Sequence, residues 1–427
     1  MRTRKCAALI EASLTCLVFA FLFMDWLFLA LVIPLVMIAF AGVMLFHGRQ
    51  LALDVSHRVS NTRVFEQDIV TVEVTITNNG SSISFLELYD TLPEKVSIIR
   101  GSNYAVTSLK AKETLTFSYD LSCPLRGHYV VGPLHVRVQG LLGLFYKEQF
   151  IPQESDVTVI PRMEDISDFT LGSRASPYPG LMHTKRAGLG TEFFGIRKYA
   201  PGDAFKRINW KSLARWGKPM VNEYELESTT DVILIVDARE NQGHGSPYRN
   251  PLEYSIRAAV SLASVYLKRR DRVGLLVFGN PEGKLQWVYP EIGKKQLYKI
   301  IRELVEIQAE GAFTFQAAMH TAQTHMIPKK SLLILLSSLE EDPLLANAIQ
   351  HLIARNYRVL VVSPSTAPLV IPDTATKTHQ LTSKLLDFER ENHISRLRQH
   401  GAHVIDWNPD QPLAVALKEV AVFQRRR

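Results

Sequence analysis

Apolar residues follow three different rhythms along this chain. Residues 6 to 46 are nearly all apolar, broken only at Met24–Asp25–Trp26. At about 1.5 Å per helical residue, roughly 20 residues cross the hydrocarbon of a bilayer. Cys6–Met24 and Trp26–Phe46 therefore each predict a membrane-spanning helix, joined by a very short turn. From about 52 to 160 the rhythm has period two. "DIVTVEVTIT" puts Val70, Val72, Val74 and Ile76 on one face and Thr71, Glu73, Thr75 and Thr77 on the other, as in a half-buried strand. Asn78–Gly80 before "SISFLELYD" reads as a hairpin turn, and "ETLTFSYDL" and "HYVVGPLHVRV" add strands, so the expectation is an all-β, sandwich-like module. That module shows no cluster of His, Cys or acidic residues in the sequence. After residue 230 short apolar runs alternate with amphipathic stretches: "DVILIVDAR", "RVGLLVFG", "LQWVYP", "SLLILLSS", "YRVLVVSP" and "HVIDW" as strands, with helices near 252–269, 294–308, 315–326, 343–355 and 388–400. That pattern predicts a Rossmann-type α/β domain with a mostly parallel sheet. Residues 1–50, 51–160, 161–229 and 230–427 are then hairpin, β module, connector and α/β domain.

Charge changes the picture in two places. The chain has 427 residues and a net charge of +7, yet Arg197 to Lys218 alone holds seven Lys/Arg against Asp203, or +6. The remainder is near neutral, so the basicity is local and speaks against a general polyanion binder. Arg2, Arg4 and Lys5 precede the first apolar run, Arg49 and Arg58 follow the second, and the turn between has no basic residue. The positive-inside rule then places both termini and the folded domains in the cytoplasm, at the inner membrane. Glu11 falls in the first span, read as lying near the headgroups. A cleaved signal peptide is disfavoured, because no small-x-small site follows the first run and a second run comes at once. Cys6, Cys16 and Cys123 form neither a disulfide framework nor a metal pattern, which suits a reducing compartment. Asn79-Gly80-Ser81 matches a glycosylation sequon but reads as a turn in that orientation.

The basic stretch, "GIRKYAPGDAFKRINWKSLARWGKPMVNEYE", predicts a short helix with Asp203 as N-cap, Gly217 after its end and Pro219 beyond. So short a helix must dock, and Trp210, Leu213 and Trp216 at spacing three are the face to do it. The string through Glu192, Phe193, Arg197, Tyr199, Gly202, Asp203, Arg207, Trp210 and Arg215 resembles the signature of the domain-of-unknown-function fifty-eight family. "RGHYVVGPLHVRVQGLLGLF" (126–145) in the β module agrees with it. Asn209 and Lys206 differ mildly from the usual signature residues, and the β module lacks the usual Asp before "GLF". The resemblance implies a prokaryotic, membrane-anchored protein with a von Willebrand A-like domain. It also implies partners: a MoxR-type AAA+ ATPase, other von Willebrand A-domain proteins and transglutaminase-like membrane proteins. Two roles for the signature stand open, a contact with such a partner or an internal brace in which buried arginines pair with carboxylates.

In an α/β domain the chemistry belongs beyond the C-terminal strand ends. Asp237, Asn280, Ser337, Ser338 and Ser363 are the rim residues here. A von Willebrand A-type Mg²⁺ site needs D-x-S-x-S after the first strand, but Arg239 and Asn241 follow Asp237, and Ser338 stands where an acidic ligand belongs. Asp237, Thr314 and Ser338 remain as a degenerate metal set. No G-x-S-x-G, P-loop or GxGxxG pattern is present, and "GLGTEFFG" has the wrong spacing; no cofactor is expected. His320 and His325, five apart, do not share a helix face for zinc. These features favour a membrane-tethered, non-enzymatic scaffold or adaptor acting with the ATPase in assembly or activation of other proteins. A hydrolase using Asp237 with Ser338 or Glu340 is the alternative. Nucleic-acid binding through the basic, aromatic stretch is disfavoured by the membrane anchor and the near-neutral remainder.

Overall fold

The computed structural model describes residues 3–24, 26–47, 51–140, 143–166, 187–225, 231–339, 344–366, 369 and 377–418; the side chains of 45–47, 187–194, 223–225, 324–325 and 377–383 lie outside that description. The chain forms two compact units, Met1–Pro161 and Arg162–Arg427.

The first unit opens with α1 (Arg4–Phe23) and α2 (Trp26–His47). Thr3 caps α1, its hydroxyl accepting from the Cys6 N–H at 3.3 Å, and Met24 ends it in the left-handed region at φ 51°. Both helices are long and apolar enough to cross a membrane. Helices meet their backbone hydrogen bonds internally, as a bilayer demands, and their greasy side chains point outward: Phe21 is 78 % and Trp26 74 % exposed.

Eleven strands follow: β1 (Leu53–Val59), β2 (Arg63–Phe65), β3 (Ile69–Asn78), β4 (Ile83–Asp90), β5 (Ser97–Gly101), β6 (Tyr104–Leu109), β7 (Thr114–Ser122), β8 (Gly127–Val131), β9 (Leu134–Gln139), β10 (Tyr146–Ile151) and β11 (Ser155–Ile160). They form sheets in the orders β1-β3-β7-β5, β10-β9-β4-β6 and β2-β11-β8. The period-two reading of β3 holds: Val70, Val72, Val74 and Ile76 are fully buried, packing with Leu86 and Leu88 of β4 and Val136 of β9. The expected β3–β4 hairpin does not form, for β3 and β4 lie in different sheets. Asn78 decides this. Its side-chain amide donates to the carbonyls of Ser81, Leu109 and Lys110, and its oxygen accepts from the Gly80 N–H, turning the chain across to the second sheet.

The second unit begins with β12 (Ala187–Lys198), α3 (Trp210–Trp216) and β13 (Met220–Glu225), in which β12 and β13 pair antiparallel. Then come β14 (Asp231–Asp237), α4 (Pro251–Lys268), β15 (Arg272–Phe278), β16 (Gln286–Glu291), α5 (Lys294–Val305), α6 (Phe315–His325), β17 (Leu332–Leu336), α7 (Leu345–Ala354), β18 (Arg358–Pro364), α8 (Lys377–Gln399) and β19 (His403–Trp407). Helix α8 starts earlier than its sequence reading at 388. The six-stranded sheet runs β16-β15-β14-β17-β18-β19, with all pairs parallel except β15–β16. Ile233, Ile235, Leu333, Leu335, Val359 and Val361 face one side and pack with residues of α6, α7 and α8, while α4 lies on β14, β15, β17 and β18 from the other. Both faces are thus covered, the reason these strands read as continuous apolar runs.

Candidate functional site

The strand order of the α/β sheet reverses between β14 and β17, and the crevice beyond the C-terminal ends of two such strands is where open α/β sheets bind ligands. Asp237 ends β14 there, and Ser337 and Ser338 follow β17. In this chain the crevice is filled from within. Arg239 folds back on Asp237: Nε donates to Oδ1 at 3.0 Å, Nη2 to Oδ2 at 2.7 Å, and the Arg239 backbone N–H to Oδ1 at 3.2 Å. The Ser337 hydroxyl donates to Oδ2 at 2.7 Å and accepts from the Leu339 N–H at 3.2 Å. Gln242 clasps Ser338, donating to its hydroxyl at 2.9 Å and accepting from its backbone N–H at 3.0 Å. Asp237 and Gln242 are 0 % exposed and Arg239 7 %. The guanidinium also lies 5.7 Å from the centroid of the Phe278 ring. The loop that carries Arg239 is pressed against two glycines. A Cβ on Gly279, at φ +116°, would stand 2.4 Å from the Arg239 nitrogen, and one on Gly311, at φ +78°, 2.4 Å from the Gly279 carbonyl oxygen.

A divalent cation does not fit this donor set. Both oxygens of Asp237 are held by a guanidinium and a hydroxyl, and a fixed positive charge stands where the ion would be. Ser338 is bound to Gln242, and the Thr314 hydroxyl accepts from the Ala317 N–H as the cap of α6. Among the described residues no three His, Cys, Asp or Glu converge on a metal position.

Sequence reasoning did not find the second half of the rim. Arg390 of α8 sends Nη1 to the Ser338 carbonyl at 2.8 Å, Nη2 to the Ser363 carbonyl at 2.7 Å and its hydroxyl at 2.9 Å, and Nη2 and Nε to Asp406 Oδ1 at 2.7 and 3.1 Å. One guanidinium thus ties the ends of β17, β18 and β19. In sequence Arg390 is one more base on a charged helix, with nothing in its spacing to single it out. The rim residues Asp237, Ser337 and Ser338 meet, and Ser363 joins them through Arg390. Asn280 lies on an open cavity of about 240 Å³ that is also lined by Ala238, Lys284, Glu306 and Glu310. Glu340 lies outside the described residues.

The signature element is a braced loop. Arg197 grips Asp203 with two hydrogen bonds of 2.7 and 2.5 Å, and Asp203 Oδ2 also accepts from the Ala200 N–H at 2.8 Å. These bonds hold the Asp203 carboxyl down at about 2. Gly202 turns the chain at φ +104°. Asp203 does not cap the helix as expected. It is spent on the preceding turn, and Asn209 caps α3 instead, accepting from the Ser212 N–H at 2.9 Å. Gly217 closes the other end, left-handed at φ 68°, its N–H on the Leu213 carbonyl. The tryptophans do not dock: Trp210 is 62 % and Trp216 69 % exposed, beside Phe205 at 74 %. Leu213 is half-buried, and Arg207 stays close enough to Asp203 to help lower its pKa. The helix is held by polar and main-chain ties: Asn209 N–H to the Met220 carbonyl, Asn209 to the Asn222 side chain, and the bridge between buried Ile208 and Val221. The Tyr199 N–H adds a bond to the Pro219 carbonyl, and Arg215 lies exposed in the last turn of α3. The backbones of Glu192 and Phe193 lie in β12, and their side chains are outside the described residues.

The β unit contains a cluster the sequence reading missed. His57 Nε2 sits 2.8 Å from Asp90 Oδ2 and its Nδ1 2.7 Å from the Ser155 hydroxyl, while Tyr119 donates to Asp90 Oδ2 at 2.5 Å. Burial and the Asp90 carboxylate push the Tyr119 phenol well above its ordinary value. A Ser–His–Asp set invites comparison with a hydrolase, yet the His57 and Asp90 side chains are 0 % exposed and no substrate reaches them. They link strands of all three sheets. The signal was present in the strand phase, since Asp90 shares the inward alternation of Leu86 and Leu88.

The chain is 25 % identical over 304 residues to "Uncharacterized protein YeaD" of Bacillus subtilis (strain 168), covering 68 % of this chain and 70 % of that protein. Among solved structures, the FixG-related protein from Vibrio parahaemolyticus is 14 % identical and covers 25 % of this chain and 95 % of its own, at a TM-score of 0.19. The native alpha-2-macroglobulin from Escherichia coli is also 14 % identical, covering 27 % of this chain and 17 % of its own, at 0.23. TM-scores that low carry no argument about fold or function. The braced loop from Arg197 to Arg215 and five of the six strands of the α/β sheet, β14 to β18, fall within residues 195–377, and it is this segment that matches the family described as "Protein of unknown function DUF58".

Proposed function

We propose that this protein is a membrane-tethered, non-enzymatic adaptor. Its α/β unit, read as von Willebrand A-like, engages other proteins. The observation that carries this reading is the crevice at β14 and β17, where Arg239, Ser337, Gln242 and Arg390 occupy the place a substrate or metal would take. A carboxylate bound on both oxygens by buried partners is neither a free base nor a nucleophile. Hydrolysis through Asp237 and Ser338 is disfavoured for the same reason. The resemblance stated above suggests the partner, a MoxR-type AAA+ ATPase, with von Willebrand A-domain or transglutaminase-like membrane proteins in the same assembly. The apolar hairpin supports anchoring, with the folded units in the cytoplasm by the Lys/Arg bias.

Affinity purification of the full chain from membranes, with mass spectrometry of what accompanies it, tests the reading. An AAA+ ATPase is expected to co-purify in stoichiometric amount. Recovery of the chain alone, together with a hydrolytic activity lost in Asp237→Asn, would favour the enzyme instead.

A further inference from the structure

The outward side of the β12–α3–β13 element is aromatic and cationic at once. Phe205, Trp210 and Trp216 are 74 %, 62 % and 69 % exposed. Lys206, Lys211, Arg215 and Lys218 are exposed among them. Asp203 is the one carboxylate from 195 to 222, and it is neutralised by Arg197. The loop is preformed by the Asn209 cap, the Gly217 turn and the Ile208–Val221 bridge, so these side chains are presented without an ordering cost at binding.

Two indoles and a phenyl ring held in water are an unfavourable surface unless something covers them. Indole rings settle at the headgroup level of a bilayer, apolar body inward and N–H toward water, and Lys and Arg side chains are drawn to anionic lipid there. The four cations sit on long flexible stems spread over residues 206–218. That arrangement suits a fluid, laterally mobile layer of negative charge better than one fixed partner geometry. The chain also carries its own two membrane-length helices, so a lipid surface is always at hand. We infer that Phe205, Trp210 and Trp216, with Lys206, Lys211, Arg215 and Lys218, form a headgroup-level docking surface for an anionic lipid bilayer. The inference rests on the hairpin being inserted and is independent of which protein the adaptor binds.

The full chain is reconstituted in nanodiscs of phosphatidylcholine alone, or with one third phosphatidylglycerol, and amide exchange over 205–218 is followed. Docking slows exchange of this segment by about tenfold or more in the anionic discs only, and about 1 M salt reverses it. Lys206→Glu/Lys211→Glu/Arg215→Glu abolishes the protection while exchange of β14, β15 and β17 stays as in wild type, which separates lost docking from lost fold. Trp210→Ala/Trp216→Ala weakens it in the same way. Equal exchange in both lipids overturns the proposal. So does protection that appears only when cell extract is added, since that identifies a protein as the occupant. Failure of the chain to co-elute with the discs overturns it as well, and leaves the search for protein partners unaffected.

Discussion

Arg239 and Asp237 show how a single residue type sets the chemistry of a whole rim. A hydroxyl two positions after Asp237 would leave a carboxylate open to a cation; the guanidinium there neutralises it in place. Both groups are buried, so deleting one strands the other's charge or hydrogen-bonding capacity. Arg239→Ala is expected to cost about 3–5 kcal/mol, whereas Asp237→Asn with Arg239→Leu costs less, because no charge is then left unpaired. Denaturant unfolding of the three forms measures the difference. Tyr119 gives a second residue-scale case. Its phenol is held protonated in the fold, so its pKa is higher folded than unfolded. That contribution is complete below about pH 10, where the unfolded phenol titrates, and is lost as pH rises beyond it. Tyr119→Phe is expected to lose roughly 1–3 kcal/mol at neutral pH and to flatten the fall in stability above pH 10, read from unfolding curves on both sides of that pH.

At the scale of the element, α3 illustrates a helix too short to stand on its own. The apolar spacing of Trp210, Leu213 and Trp216 predicts docking through the tryptophans, but the tie is made by Asn209, which caps the helix and joins it to β13. Asn209→Ala is expected to open α3 by about 1 kcal/mol, seen as faster amide exchange confined to 210–217. The turn before it behaves differently. Asp203 is held by Arg197 with its carboxyl near 2, well below an ordinary carboxylate. The pair therefore persists as pH falls through 4 and is released only as it nears 2. Strand β3 is the opposite case, where alternation alone gives the right face, and only the partner strand is misjudged.

At the scale of the molecule, the Lys/Arg bias makes one strong prediction: protease added to intact cells leaves residues 51–427 whole, and inverted membrane vesicles expose them to cleavage. Shaving from outside would reverse the topology and, with it, access to cytoplasmic partners. Much of the architecture was legible in the sequence. Period-two alternation and fully apolar strands each answer to a local environment, a half-buried sheet or a sheet covered on both faces, and a local environment leaves its mark on neighbouring residues. The candidate site was legible in part, as Asp237, Arg239, Ser337 and Ser338 stand at strand ends the pattern locates. What the fold alone decided lies in pairings between residues far apart in the chain. The Asn78 crossover keeps β3 from pairing with β4, His57 finds Asp90 and Ser155, and Arg390 of α8 reaches Ser338, Ser363 and Asp406. A hydrogen bond between distant residues imposes no period on either stretch of sequence, so only the packed sheets bring such partners into view.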